Sequence, residues 1–189
     1  MSGVEKPHIG NLPREEWHYH VGYALKAGLT LDDLLAREAI RALMARCTQA
    51  GDSLRGEDYA GCFTEDGVLQ TEMAGGGKGL DLHSRAEILA WQTAMREPGK
   101  GMGTSTGVPL LFARHNLTTC QIELTGPDSA EARTYWFVQT NIGPDHSGVY
   151  RDRFARVDGE WLIAERRVKT EWAAQDSLMV PPGSRPGAI

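Results

Sequence analysis

Residues 149–168 read VYRDRFARVDGEWLIAERRV and predict two β-strands joined by a tight turn. The turn is Asp158-Gly159, since Asp-Gly between alternating segments is the strongest short-range signal for a β-hairpin. Strict alternation would divide the second strand into one face with Trp161, Ile163, Glu165 and Arg167 and another with Leu162, Ala164, Arg166 and Val168. Both faces mix charged with apolar residues. An ionisable group on a buried sheet face is either costly or useful, so the hairpin raises the question of function.

The chain before this hairpin predicts three helices and three further strands. Thr30 can cap the first helix, and Asp32 and Asp33 suit the positive end of its dipole. The apolar stripe of that helix is predicted to comprise Leu31, Leu34, Leu35, Ala39, Leu43, Met44 and Cys47. The predicted helices span about 30–51, 57–63 and 84–96, the strands about 67–73, 109–125, 129–142, 147–157 and 160–172, and the other turns 126–128 and 143–145.

This order of elements predicts an α+β fold. We expect a cone-shaped α+β barrel, in which a curved, mainly antiparallel sheet wraps around three N-terminal helices. The mouth of such a cone is a natural pocket for a small molecule. The domain is assigned to residues 30–173, with an irregular N-terminal extension over 1–29 and an extended C-terminal tail over 174–189.

Three other segments could bind a ligand or move, and each is interpreted separately. The sequence WHYH at residues 17–20 either packs on the domain or on a neighbouring subunit, or binds a metal through its two histidines. No carboxylate-rich motif follows it, so packing is favoured and no metal site is predicted. The glycine-rich run at 75–79 lacks the Walker pattern of a phosphate-binding loop and is predicted to be a flexible loop. Residues 100–107 are a candidate lid.

Composition excludes several classes of function. The 189 residues carry a net charge of −5 without a cluster of Lys and Arg, which argues against nucleic acid as a partner. No apolar run reaches membrane-spanning length, and the N-terminal stretch MSGVEKPHIG lacks an apolar signal core. We therefore expect a cytoplasmic protein with no membrane partner and no bound cofactor. Cys47, Cys62 and Cys120 lack metal-binding spacing, which predicts free thiols.

Three ionisable residues could meet inside such a cone. Asp52 follows the first predicted helix, His115 lies within the apolar segment PLLFARHNLTTCQIEL, and Arg166 alternates with apolar residues in the last strand. A neutral imidazole can take a proton near neutral pH, and a carboxylate on its other nitrogen fixes the tautomer. A buried guanidinium could stabilise an oxyanion or a leaving group. Each residue also has a structural interpretation: Asp52 at a helix end, His115 in the core, and Arg166 paired with Asp152 across the hairpin.

Two aromatic residues are open to both kinds of interpretation. Tyr59 could supply a hydroxyl or pack in the core, and Trp136 could line a pocket or simply be core. No serine or cysteine accompanies Asp52 and His115 in a recognisable nucleophile motif. That favours proton transfer over covalent catalysis.

Three segments give the chain a resemblance to the SnoaL-like branch of the nuclear transport factor 2-like superfamily. They are LLAREAIRALMARCTQAGDS in the first helix, FTEDGVL at residues 63–69, and GVYRDRFARVDGEWLIAERRV at the end of the domain. The resemblance covers roughly residues 32–172. It implies a cone-shaped α+β barrel, in agreement with the order of elements.

Within that superfamily the chain is most similar to the group of hexachlorocyclohexane dehydrochlorinase, scytalone dehydratase and bile-acid 7α-dehydratase. The resemblance implies that Asp52 and His115 form a catalytic dyad and that Arg166 lines the pocket. A lysine of the dehydrochlorinase falls at Cys47, which speaks against chloride elimination. The residues predicted to bind or assist the substrate are Arg166, Tyr59, Trp136, Cys47 and Thr170.

We therefore expect a cofactor-independent, dehydratase-like lyase or an isomerase that acts on a cyclic, largely apolar small molecule by His/Asp general acid–base catalysis. The alternatives are a non-catalytic small subunit akin to those of ring-hydroxylating dioxygenases, a polyketide cyclase-like protein, or a ligand-binding protein. A homo-oligomer, either dimer or trimer, is expected because a sheet face bearing Arg151, Arg153 and Arg167 among apolar residues needs covering.

Overall fold

The computed structural model describes residues 29–72, 78–97 and 107–182. Helices in these ranges are α1 (Leu31–Asp52), α2 (Gly56–Ala60) and α3 (Arg85–Ala94). The strands are β1 (Phe63–Glu72), β2 (Lys78–Leu82), β3 (Ala113–Gly126), β4 (Ser129–Thr140), β5 (Gly143–Val157) and β6 (Glu160–Ala173). The WHYH segment, residues 75–77 of the glycine-rich run and the candidate lid up to residue 106 lie outside the described residues.

The six strands form one curved sheet in the order β2-β1-β6-β5-β4-β3. Every neighbouring pair is antiparallel except β1 and β6, which run parallel. Residues of α1, α2 and α3 share one apolar core with the concave face of this sheet. The predicted α+β fold, with N-terminal helices packed on a mainly antiparallel sheet, is confirmed.

Strand β2 is an element that the sequence did not predict. It includes Lys78 and Gly79, for which the sequence predicts a flexible loop, and it pairs with β1 through Leu69 and Leu82. The N–H of Leu80 donates to Oγ1 of Thr71 (2.6 Å). The strand depends on this tertiary pairing, because five residues offer too little pattern to identify it alone.

Helix α1 begins where the sequence predicts, with a different buried stripe. Thr30 and Asp33 form a reciprocal capping box, in which the N–H of Asp33 donates to Oγ1 of Thr30 (3.1 Å). The buried residues are Ile40, Leu43, Met44, Cys47 and Ala50, whereas the predicted stripe members Leu31, Leu34, Leu35 and Ala39 are exposed. The prediction was wrong for the first turns, because they have no part of the sheet to pack against among the described residues.

The hairpin of β5 and β6 has the predicted turn, since Asp158 and Gly159 have φ values of 52° and 86°. A bulge at Ala164 then changes which residues face the core. Asp152 lies opposite Arg166, and Phe154 lies opposite Ile163. Two residues along β5 therefore match three residues along β6, which leaves Ala164 without an opposite residue. Trp161 and Ile163 therefore share the inner face with Arg166, and strict alternation was wrong for this strand.

The turn between β4 and β5 lies two residues before its predicted position. The chain turns at residues 141–142, and β5 already begins at Gly143, which has φ 104°. Pro144 is tolerated because it lies at the start of the strand. Asp145 and His146 are consequently strand residues rather than turn residues.

The segment after β6 packs back onto the sheet. The N–H of Ala174 donates to the carbonyl of Asp145 (2.8 Å). Ser177, Leu178, Met179 and Val180 are all buried. The first part of the predicted extended tail is thus held by the domain.

Candidate active site

Asp52 is the last residue of α1, and a Schellman motif fixes its position. The N–H of Arg55 donates to the carbonyl of Ala50 (2.9 Å), and the N–H of Leu54 donates to the carbonyl of Gly51 (3.0 Å). Leu54 has φ 52°, the left-handed conformation that this motif uses. The helix therefore ends at a defined point, with the Asp52 carboxylate beside it.

The helix end is also held by α3. The buried Gln92 donates from Nε2 to the carbonyl of Gly51 (3.2 Å). A carboxylate at this end of a helix faces the negative pole of the helix dipole and is electrostatically disfavoured. Asp52 therefore requires hydrogen-bond donors from another element, and β3 supplies them.

His115 on β3 supplies both donors. Its Nδ1 lies 2.6 Å from Oδ1 of Asp52, and its backbone N–H donates to Oδ2 of the same carboxylate (3.0 Å). The Asp52 side chain is 8% exposed and that of His115 is 24% exposed. A carboxylate can only accept, so Nδ1 donates, and in a neutral imidazole this arrangement leaves the lone pair on Nε2. The structure thus brings together the two residues that the sequence proposed as a dyad.

An aromatic wall borders His115. The ring of Trp136 lies 6.1 Å from that of His115 and stacks on Tyr150 at 5.3 Å. Trp136 is buried, and its Nε1–H has no acceptor in the described part of the chain. A buried indole N–H usually finds an acceptor, so this donor is available to a bound molecule. Apolar residues that pack on this wall include Met179, Leu117 and Val168.

A second Asp–His pair stands against the same wall, and the sequence reasoning missed it. Nδ1 of His146 lies 2.7 Å from Oδ1 of Asp145. The ring of His146 is 5.3 Å from that of Trp136 and meets the ring of His115 edge-on at 6.3 Å. The available signal was a histidine directly after Gly143-Pro144-Asp145, a segment whose local preference predicts a turn.

Asp145 is a fully buried carboxylate with three donors. His146, the hydroxyl of Ser177 (2.7 Å) and the backbone N–H of Leu178 (2.6 Å) all bind it. Burial acts to raise the pKa of Asp145, but these hydrogen bonds outweigh burial and hold the pKa below its ordinary value. The carboxylate therefore stays ionised beside His146.

Arg166 is paired with Asp152, as the structural interpretation of the hairpin suggested. Nε and Nη2 of Arg166 donate to the two oxygens of Asp152 (2.9 and 2.7 Å), and both side chains are buried. Burial acts to lower the pKa of Arg166, but Asp152 outweighs it and holds the pKa above its ordinary value. The guanidinium lies over the ring of Tyr150 at 4.5 Å. Among the described residues no hydrogen bond joins Arg166 to Asp52 or His115.

The remaining predicted site residues, Cys47, Tyr59 and Thr170, lie in the interior of the domain and make no hydrogen bond to the dyad among the described residues. Nη1 of Arg166 lies 3.5 Å from Sγ of Cys47, and a hydrogen bond with Cys62 together with burial raises the pKa of Cys47. The ring of Tyr59 packs against Phe63 at 5.6 Å, and burial raises the pKa of Tyr59. Cys47 and Tyr59 are therefore neutral at physiological pH. Thr170 is buried on β6, opposite Gly148 of β5.

The described residues hold no group of three or more His, Cys, Asp or Glu side chains placed to bind a metal ion. Within the same ranges, no helix is long and apolar enough to cross a membrane.

Comparison with known proteins assigns this arrangement to a domain family. The model of the SnoaL-like domain matches residues 32–167. No curated protein matches the chain. A protein of Catenulispora acidiphila, solved in complex with the small molecule S-DNPA, is 25% identical with a TM-score of 0.56, over 73% of this chain and 95% of that one.

Two structures from Novosphingobium aromaticivorans share the fold at lower identity. A candidate scytalone dehydratase is 19% identical with a TM-score of 0.57, over 80% of this chain and 97% of that one. The β subunit of a candidate aromatic-ring-hydroxylating dioxygenase is also 19% identical, with a TM-score of 0.59, over 78% of this chain and 98% of that one. The same fold is therefore found in proteins with different roles, and function must be argued from the site.

Proposed function

The chain belongs to the SnoaL-like domain family, and we propose that it is a cofactor-independent lyase that removes water from a cyclic, largely apolar small molecule. An isomerase that shifts a double bond by the same proton transfers is the second form of this proposal. The observation that carries it is the double hydrogen bond from His115 to Asp52, through Nδ1 (2.6 Å) and the backbone N–H (3.0 Å). A histidine held in this way has one defined tautomer and one basic nitrogen.

His115 is the general base of the proposed reaction. Its Nε2 removes a proton from a carbon next to a carbonyl group, and the ring becomes an imidazolium. Asp52 accepts from Nδ1 throughout, so it orients the ring and stabilises the positive charge as it forms. Such a positioned base contributes about a hundredfold to ten-thousandfold to the rate.

Apolar and aromatic side chains support a cyclic substrate. Trp136, Tyr150 and Met179 form one buried cluster beside the dyad. Binding sites for small molecules are mainly apolar with a few placed polar groups. The Nε1–H of Trp136, which has no acceptor among the described residues, is such a group, and we assign it to an oxygen of the substrate. Binding of a small molecule by the 25% identical protein of Catenulispora acidiphila is consistent with this assignment.

The other predicted residues receive supporting roles in this proposal. Arg166 is engaged by Asp152 and by the face of Tyr150, so we assign it to holding the wall rather than to the leaving group. Cys47 contacts Arg166 and shares that role. Tyr59 packs against the core and Thr170 is buried on β6. We assign neither residue a proton transfer.

Two ketone probes test the proposal. Loss of water from β-hydroxytetralone gives a naphthol, which is followed by fluorescence, and proton abstraction alone is followed by deuterium exchange next to the carbonyl of tetralone. We expect the wild-type protein to catalyse both, and His115→Gln and Asp52→Asn to lose both by about a hundredfold or more. The control is Asp81→Asn, which removes the carboxylate of an exposed Asp81–His83 pair (2.8 Å).

Two results would overturn the proposal. One is unchanged activity in His115→Gln. The other is a wild-type protein that binds naphthol but neither exchanges protons nor releases water, which would leave a ligand-binding protein. A binding-only protein, or a non-catalytic subunit, would also show no effect of Asp52→Asn beyond stability.

A further inference from the structure

We propose that His146 is a second catalytic residue, the general acid that protonates the departing hydroxyl while His115 removes the proton. The inference rests on the proposed function, because it assigns the other half of the same elimination. It starts from the Asp145–His146 pair on β5, which has the same Nδ1-to-carboxylate geometry as the dyad (2.7 Å against 2.6 Å).

One ring nitrogen of His146 is held by Asp145, and the ring lies next to that of His115. Nδ1 is engaged by Asp145, so Nε2 is the only ring nitrogen that can meet a substrate. In the described part of the chain, the Nε2 atoms of His115 and His146 have no hydrogen-bond partner. The side chain of His115 is 24% exposed and that of His146 is 9% exposed, and we assign both Nε2 atoms to contact with the substrate.

The spacing of the two rings allows one substrate to contact both of them. Their centroids lie 6.3 Å apart at an interplanar angle of 88°, and the ring of Trp136 lies within 6.1 Å of both. In a β-hydroxy ketone, the acidic C–H and the leaving C–O bond are on adjacent carbons. Two groups on β3 and β5, with β4 between them, can therefore reach the two bonds at the same time.

Asp145 fixes the ring of His146. The hydrogen bonds from Ser177 and Leu178 keep this buried carboxylate ionised, and the carboxylate holds Nδ1 of His146, which leaves Nε2 for the transfer of a proton to the substrate. The groups that face His146 are Asp145 on its own strand, His115 on β3 with Asp52 behind it, and Ser177 beyond Asp145. On β6 the residue opposite His146 is Ala173, which is uncharged.

The elimination balances with these two residues. The carbon–hydrogen bond breaks, its proton moves to Nε2 of His115, and its electron pair forms the double bond. The carbon–oxygen bond breaks with its pair on oxygen, which takes the proton from Nε2 of His146 and leaves as water. His146 is then neutral and His115 is charged. His115 releases one proton to solvent and His146 takes one up, which restores the starting state.

The test separates the two histidines by the two reactions. With tetralone, deuterium exchange needs a base alone, so we expect His146→Asn to retain exchange near the wild-type rate. With β-hydroxytetralone, we expect the same variant to lose naphthol formation by about a hundredfold or more. Asn can still donate to Asp145, which preserves the buried hydrogen bond. The matched control is His83→Asn, which changes the exposed His83–Asp81 pair and is expected to alter neither reaction.

The pH profile gives an independent measurement. Because the wild-type reaction needs neutral His115 and charged His146, kcat/KM for β-hydroxytetralone should fall on both sides of an optimum. His146→Asn should remove the decline on the alkaline side. His146→Gln repeats both measurements, and thermal unfolding shows whether each variant is folded.

Two outcomes would overturn this inference alone: dehydration at the wild-type rate in folded His146→Asn, or equal loss of exchange and dehydration. Wild-type protein that catalyses neither reaction would overturn the proposed function and this inference together. Loss of both reactions in His115→Gln with loss of dehydration alone in His146→Asn is the pattern that supports both.

Discussion

Both oxygens of Asp52 are engaged by His115, one by the imidazole Nδ1 (2.6 Å) and one by the backbone N–H (3.0 Å). The carboxylate belongs to the end of α1 and the histidine to β3, so this contact joins a helix to the sheet. It has a catalytic consequence, because it fixes the imidazole tautomer. It also has a structural consequence, because it gives two hydrogen-bond donors to a carboxylate at the unfavourable end of a helix dipole.

Asp52→Asn separates these consequences. The amide oxygen can still accept from the backbone N–H of His115, but no negative charge remains to stabilise an imidazolium. We expect tetralone exchange to fall by about a hundredfold or more, while the protein stays folded. Exchange kinetics and thermal unfolding measure the two effects, with Asp81→Asn as the exposed control. Equal losses of activity in the two variants would contradict a role for the dyad.

Replacement of one partner of the buried Arg166–Asp152 pair should greatly lower the free energy of unfolding. Arg166→Met leaves a buried carboxylate without its partner, and we expect the free energy of unfolding in urea to fall by about 3–5 kcal/mol. Arg166→Met combined with Asp152→Leu should recover most of this loss, because no buried charge remains. Arg153→Met, which breaks the exposed contact with Glu165 (2.9 Å), should cost less than about 1 kcal/mol. A small effect of the single replacement at Arg166 would show that the pair is not buried in solution.

Gly148 predicts a steric effect. A Cβ at this position would lie 1.9 Å from the carbonyl oxygen of Lys169 and 2.9 Å from Cζ2 of Trp136. We expect Gly148→Ala to lower the free energy of unfolding by about 1–3 kcal/mol and to displace the Trp136 ring, which tryptophan fluorescence would report. Ser147→Ala, the preceding position on the same strand, is the control. Native fluorescence and stability in Gly148→Ala would contradict this close packing.

Asp145 predicts a specific loss of stability in acid. Its pKa is lower in the folded than in the unfolded chain, where the ordinary value is about 3.9. Its stabilisation is therefore complete above that value and is lost as the pH falls through the folded-state pKa. Asp145→Asn should be less stable than the wild type at neutral pH, by about 1–3 kcal/mol, and the difference should shrink below pH of about 4. Urea unfolding as a function of pH measures this, and a constant difference at all pH values would contradict it.

The outer face of the sheet predicts self-association. Phe137 and Trp172 lie on either side of Ser147 across three adjacent strands, and they are 37% and 45% exposed. If a second copy covers this face, Phe137→Lys should shift the protein toward monomer in light scattering. Leu35→Lys changes an exposed leucine of α1 and should not. A wild-type monomer at micromolar concentration would contradict the expectation of a homo-oligomer.

Local patterns predicted the elements well where a residue acts through its own backbone preferences. Thr30 starts α1, and Asp158-Gly159 forms the hairpin turn. The patterns failed where partners distant in sequence decide the geometry. The bulge at Ala164 exists only because β5 and β6 pair in shifted registers, and it moves Trp161 and Ile163 to the inner face. Strand β2 exists only because β1 offers an edge to pair with.

The site divides in the same way. Asp52 and His115 could be named from the sequence, because a family resemblance singled out both positions. Asp145 and His146 could not, since Pro144 beside a glycine favours a turn in any local reading. Only the pairing of β5 with β4 and β6 turns this segment into a strand and brings His146 within 6.3 Å of His115.

The sequence by itself determined the class of fold, the first helix cap, the hairpin turn and the identity of one Asp–His pair, because each depends on residues near one another or on a recognisable motif. The tertiary structure chose between the two interpretations of Arg166 in favour of its pairing with Asp152. The tertiary structure alone decided that Ser177 and Leu178 anchor Asp145 and that two histidines on different strands lie next to one tryptophan. The physical reason is that these contacts join residues 10 to 33 positions apart, so they follow from strand register and burial rather than from local preference.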